Sequence, residues 1–233
     1  IQSPTDKMGV WITGFFFSGK SHFLKILGYL LSNEIVAGKS SVDYFEDKIN
    51  DQIIMGDIKV SASKKNLIVL FNIDSKAKSD AKNRSQAIME TMLSAFNERI
   101  GLSGSVDWLA DLERMLQKDE LYESFIETFE KISKKSWVEG RKNIFFERDN
   151  LISTLVKVKK ISEESARAYF DDAQKNYSIS TEKFAKIIDE YCEENNTRVV
   201  FLIDEVGQFI GQKSDLMLNL QTVVEDLGKY AKG

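Results

Sequence analysis

Gly14-Phe15-Phe16-Phe17-Ser18-Gly19-Lys20-Ser21 follow the spacing G-x-x-x-x-G-K-[ST]. That spacing suits a phosphate chain. Backbone N–H groups of the loop and of a following helix N-terminus converge on phosphate oxygens. Gly19 lets the backbone come close, Lys20 brings a compact positive charge to the β- and γ-phosphates, and Ser21 offers a hydroxyl to Mg²⁺. Gly14, Phe15, Phe16, Phe17, Ser18, Gly19, Lys20, Ser21 and His22 are therefore the candidate nucleotide-binding residues, with ATP and Mg²⁺ the expected ligands. The competing reading is a glycine-containing strand-to-helix turn that happens to hold Lys-Ser.

A second group lies far along the chain. Val199-Val200-Phe201-Leu202-Ile203-Asp204-Glu205 is an apolar run ending in two acids. A strand of this kind places Asp204 beside Mg²⁺ and leaves Glu205 to polarise an attacking water. Such a run alone is weak, since buried strands often end in solvated acids; paired with the loop it is specific. Ser21 and Asp204 are thus the candidate metal ligands, and Lys20 and Glu205 the candidate catalytic residues. A Glu directly after the Asp favours hydrolysis over a GTP switch or a simple kinase. The sole histidine, His22, is read as a helix residue packed beneath the loop. Asn72 and Asp74 leave a second apolar strand where α/β ligands collect, although a turn role suits them equally. Phe15, Phe16 and Phe17 are read as core or loop packing. Lys131–Lys135 and Lys157–Lys160 are read as solvated helix faces in preference to DNA or partner contacts.

The elements that must position these groups follow from periodicity. Residues 8–13 read as a short buried strand, and Lys20–Leu31 as a helix with Phe23, Leu24, Ile26, Leu27, Leu30 and Leu31 at helical spacing. Val42–Ser61 reads as helical, and 66–74 as a parallel strand covered on both faces. Residues 79–196 then lose strand character, apart from a doubtful strand at Asn143–Phe146, and show helical spacing throughout. Ser162 and Ser180 are candidate helix caps. A strand returns at Arg198–Ile203, and a helix runs from Leu216 to Tyr230. The domain reading is a nucleotide core of 1–78 and 197–233 interrupted by a helical insertion of 79–196.

Composition sets bounds. The 233 residues carry a net charge of −4, which offers no overall basic surface for nucleic acid. A single cysteine and a single histidine leave no disulfide and no usual His/Cys metal cluster within one chain. With neither a secretory signal pattern nor an apolar run of membrane-spanning length, the expectation is a cytoplasmic protein with no membrane association.

Longer words carry a resemblance. Gly14 to Lys25, Leu70-Phe71-Asn72-Ile73-Asp74-Ser75, Asp204-Glu205-Val206-Gly207-Gln208-Phe209-Ile210 and Asn219-Leu220-Gln221 resemble the large P-loop ATPases of BREX phage-defence systems, the BrxC/PglY family. The resemblance implies an ATP-dependent component of a bacterial defence complex, with other BREX-type proteins as partners, direct or indirect DNA association, and oligomerisation of the full-length protein. The fold it implies is α/β, a P-loop NTPase core of the additional-Glu, AAA+-like type: three layers carrying a large helical insertion and incomplete at the C-terminus. Phe17 departs from the family's usual glycine. Related ATPases also place a later, sensor-bearing strand between the loop strand and the acid-bearing strand, so the resemblance implies the front part of a longer protein that hydrolyses ATP poorly by itself. Two other functions remain open: a nucleotide-gated scaffold or switch, and an initiator-type, DNA-associated ATPase.

Overall fold

The computed structural model describes residues 8–15, 17–76, 86–211 and 213–231. In chain order the elements begin with α1 (Lys20–Ser32), β1 (Ile35–Val36), β2 (Lys39–Ser40), α2 (Gln52–Ala62) and β3 (Asn66–Asn72). Then come α3 (Ile73–Lys76), α4 (Ala87–Arg99), α5 (Asp107–Lys118), α6 (Tyr122–Ser133), α7 (Trp137–Gly140), α8 (Arg148–Lys159), α9 (Glu163–Asn176) and α10 (Thr181–Asn195). The last are β4 (Arg198–Asp204), α11 (Val206–Ile210) and α12 (Ser214–Tyr230). The chain divides into two compact units, 1–95 with 179–233, and 96–178. The helical unit is thus narrower than the 79–196 span read from periodicity, and α10 belongs with the first unit.

In the first unit β3 and β4 pair in parallel, from Asn66 opposite Arg198 to Asn72 opposite Asp204. Their apolar runs are what a strand pair covered on both faces requires. On one face α1 lays Leu24, Leu27 and Leu31 against Ile68, Val200 and Leu202. Gly28 permits this approach: a Cβ there would lie 3.2 Å from Leu202 Cδ1 and 3.4 Å from Ile68 Cγ2. On the other face Phe201 meets Phe184 of α10, ring centroids 6.0 Å apart. The Asn66 side-chain amide donates to the carbonyls of Leu31 (2.8 Å), Ser61 (3.0 Å) and Lys64 (2.9 Å), tying the ends of α1 and α2 to the start of β3.

Several sequence expectations change. Residues 8–13 are not a buried strand; 8–15 carry no secondary structure and are exposed, Val10 to 88%. A strand needs a hydrogen-bonding neighbour, and among the described residues the only partner of β4 is β3. The helix expected over 42–61 is broken into a 3₁₀ turn (Asp43–Phe45) and α2, because Asp51 caps α2 by accepting from the N–H groups of Ile53 and Ile54. Of its expected apolar side, Phe45 and Ile49 pack with Leu30 and Met55, whereas Tyr44 and Ile53 are exposed. A small hairpin, β1 with β2, follows α1; Ala37 (φ 50°) and Gly38 (φ 81°) make its turn. Residues 143–146 form turns that bury Ile144, not a strand. Ser162 and Ser180 do cap α9 and α10, accepting from Ser165 N and Lys183 N.

The second unit has its own core, built on Trp108, Leu112, Leu116, Phe125, Phe129, Trp137, Leu151 and Phe170. Trp137 stands edge-on to Phe125 and Phe129, with centroids 4.8 Å and 4.9 Å away. At its side the fully buried Glu113 accepts from Ser103 N (2.6 Å), Trp137 Nε1 (2.7 Å), Arg141 Nη1 (2.8 Å) and the Tyr122 hydroxyl (3.1 Å). A buried carboxylate is tolerated only with such partners. Burial, and then the nearby Glu113 charge, hold the Tyr122 hydroxyl protonated well above the usual tyrosine range.

Candidate functional site

The loop closes around Lys20. Its ammonium donates to the carbonyls of Gly14 (2.9 Å) and Phe15 (2.8 Å), with Ser18 Oγ at 3.5 Å. Ser18 N–H donates to the Phe15 carbonyl at 3.1 Å and completes the turn. The two motif glycines have different physical reasons. A Cβ on Gly14 would lie 2.6 Å from Ser18 Oγ, so a side chain there would displace the Ser18 hydroxyl. Gly19 is at φ 84°, a left-handed conformation that glycine adopts without penalty.

Helix α1 starts directly after Gly19, and its first intrahelical bond is Phe23 N–H to the Gly19 carbonyl at 2.9 Å. The N–H groups of Lys20, Ser21 and His22 therefore lack acceptors within the helix. No side chain caps this end, and no acid sits in the first turn. A helix end of this kind, with an adjacent ammonium, accommodates an anion. Ser21 and His22 are exposed, so His22 is not packed beneath the loop. Phe15 and Phe17 are 91% and 93% exposed, so neither is core packing; Phe16 lies outside the described residues. Phe17 is held at φ 61°, in the left-handed region that disfavours a side chain of its size.

The acid pair stands at the end of β4. Asp204 lies opposite Asn72 in the parallel register, and Asp74 is exposed on α3 just beyond. Glu205 leaves the strand at φ 64°, left-handed again, and its N–H donates to Asp204 Oδ1 at 3.0 Å. Both acids are half-buried. A non-glycine residue in this conformation carries strain of about 1–3 kcal/mol, which such sites retain when the position has a use. Among the described residues no three His, Cys, Asp or Glu side chains gather as a self-contained metal site. An ion at Asp204 would draw its other ligands from Ser21, phosphate oxygens and water.

Topology brings the two groups to one edge. The Leu31 carbonyl at the end of α1 meets Asn66 at the start of β3, so α1 runs antiparallel to the strands. The 13 residues of α1 span about 20 Å, and the seven of β3 about 23 Å. The start of α1, with Gly19, Lys20 and Ser21, consequently lies at the edge where Asn72 and Asp204 end. Ligands of open α/β sheets collect at this edge. The part not brought together is the segment before the loop. Residues 8–13 stay outside the sheet, with Gly9 packed near Val224 of α12. Sequence reasoning missed Asn66 and Gly28, which fix the tilt of α1 through unlike contacts; no local pattern announces either.

Three of the six lysines in the lysine-rich stretches sit in ion pairs. Lys131 pairs with Glu127 (3.4 Å), Lys135 with Glu147 (2.5 Å) and Lys159 with Asp119 (2.9 Å). No helix among the described residues is long and apolar enough to cross a membrane. No protein-family model matches the chain. No solved structure matches it either.

Proposed function

We propose that this chain is an ATP-binding and ATP-hydrolysing module with a P-loop NTPase core, working as part of a BREX-type phage-defence complex in the cytoplasm. One observation carries the nucleotide reading: an uncapped helix start, preceded by left-handed Gly19 and flanked by Lys20, on the same sheet edge as Asp204 and Glu205. The chemistry of the cradle suits a phosphate chain: the helix start has N–H groups without acceptors in the helix, no acid sits in its first turn, and the Lys20 ammonium lies in the adjoining loop. The defence-complex part rests on the resemblance of the longer words alone.

The Lys20 ammonium donates to the loop carbonyls of Gly14 and Phe15, with Ser18 Oγ at 3.5 Å, and so keeps its positive charge at the loop. From there Lys20 would offset charge on the β- and γ-phosphates, while the free N–H groups at the α1 start bind phosphate oxygens. Ser21 and Asp204 would hold Mg²⁺, which supplies charge neutralisation when bound. Glu205 would accept hydrogen bonds from the attacking water and orient it in line. The second reading, a nucleotide-gated switch with slow turnover, draws on residues 8–15 lying outside the sheet. Partners among other BREX-type proteins, DNA association and oligomerisation belong to the same proposal.

Calorimetry with Mg-ATP tests the nucleotide reading. Lys20→Ala should weaken binding by about tenfold or more, the worth of a charge-assisted contact. Equal affinity in a folded variant would overturn the loop assignment.

A further inference from the structure

The second unit presents a tip, residues 134–147, whose outward groups the nucleotide reading does not use. Lys134 ends α6 in a left-handed conformation (φ 62°), Ser136 caps α7, and a 3₁₀ turn (Arg141–Asn143) leads to α8. The tip is anchored from within. Trp137, Gly140, Ile144 and Glu147 are buried, and a Cβ on Gly140 would lie 2.6 Å from Phe129 Cε1. Arg141 is held by Glu113 and by the Gly101 carbonyl, both at 2.8 Å, and Lys135 is held by Glu147. These anchors leave Val138, Phe145 and Phe146 facing outward at 54%, 55% and 91% exposure. Lys134 and Lys142 are exposed in the same stretch, and Glu139 is the exposed acid within it.

We propose that this tip binds single-stranded nucleic acid, with Phe146 stacking on a base and Lys134 and Lys142 facing phosphates. Three features favour that occupant. A phenyl ring with nine-tenths of its surface open, on a backbone anchored by buried neighbours, offers a face to any base, and such stacking tolerates sequence. The exposed lysines of the same stretch, Lys134 and Lys142, complement phosphates rather than an apolar partner. Three apolar side chains also fall far short of the roughly 800 Å² per partner that a stable protein interface buries. The net charge of −4 means the surroundings add little attraction, so binding is weak and sensitive to salt.

The test uses the whole chain and fluorescence anisotropy with labelled oligothymidylate and oligouridylate of about 20 nucleotides, at about 50 mM and about 200 mM salt. Binding of either oligonucleotide at low salt, weakened at high salt, is expected. Phe146→Ala and Phe146→Leu should weaken it about fivefold or more, while Phe146→Trp keeps it. Lys142→Glu should weaken it as well. The position is exposed, so thermal melting should not move in any of these variants. The proposal is overturned by any of four results: no binding at low salt; Phe146→Leu binding like wild type; a blunt duplex or heparin binding as tightly as the single strand; or, in sedimentation, Phe146-dependent self-association without nucleic-acid binding. None of these touches the nucleotide reading, which Lys20→Ala tests separately.

Discussion

Phe17 and Glu205 are non-glycine residues held with positive φ, one in the loop and one at the strand end. Left-handed backbone costs an L-residue roughly 1–2 kcal/mol, and at Phe17 a 93% exposed ring gains little burial to offset it. Phe17→Gly should therefore favour the closed loop and tighten Mg-ATP binding by about fivefold, read by calorimetry. Weaker binding in this variant would show that the ring itself contributes to the ligand. Glu205 differs, because its carboxylate is the proposed base. Glu205→Gln keeps the shape and the left-handed turn but loses the base. Affinity should hold while turnover falls by about 100-fold or more. Hydrolysis at the wild-type rate would remove Glu205 from the mechanism.

The element that places the loop is α1, and its seating on β3 and β4 turns on Gly28. A side chain there meets Leu202 and Ile68 at 3.2–3.4 Å before its first branch. Gly28→Val should push α1 from the sheet, lower stability by about 1–3 kcal/mol in urea unfolding, and weaken nucleotide binding as well. Unchanged stability would mean that the helix shifts freely and that the strand pair does not position the loop. In the second unit, the Lys135–Glu147 contact gives a sign for acid. Hydrogen bonds from Lys135 and then Asn150 hold the Glu147 carboxyl below the usual carboxylate range, and burial opposes them. A depressed folded value gives stability that is present above the ordinary carboxylate range and lost as pH falls through it to the lower folded value. Glu147→Gln should flatten that part of the acid-melting profile, and an unchanged profile would remove Glu147 as its source.

Across the whole molecule, the elements of the proposed nucleotide site all lie in the first unit, while residues 96–178 form a unit with a core of its own. In the first unit the segment leading into the loop is unpaired, and β4 has a single strand neighbour among the described residues. In-line attack tolerates little misplacement of its groups. The chain should bind Mg-ATP yet turn it over below about 1 s⁻¹, under the range typical of enzymes. A steady-state phosphate-release assay at saturating Mg-ATP checks this; faster turnover would mean that pairing of residues 8–13 is not needed for catalysis.

Local chemistry was legible in the residues themselves. Gly14 and Gly19 meet separate short-range demands, clearance and dihedral, and the phosphate loop proposed from them with Lys20 and Ser21 rests on such local residue types. The apolar runs of β3 and β4 and the caps Ser162 and Ser180 follow from equally local rules. Asp51 is a cap that the sequence pattern hides, because the apolar spacing on either side of it continues the helical period. What tertiary structure decided was pairing and exposure. Residues 8–13 have strand composition, but a strand exists only with a neighbour, and that is a property of the assembled sheet. Phe15, Phe17 and Phe146 look like core residues by type; the backbone around them turns them outward. That the start of α1 and the end of β4 share one sheet edge depends on the antiparallel run of α1, which Gly28 and Asn66 set through contacts distant in sequence.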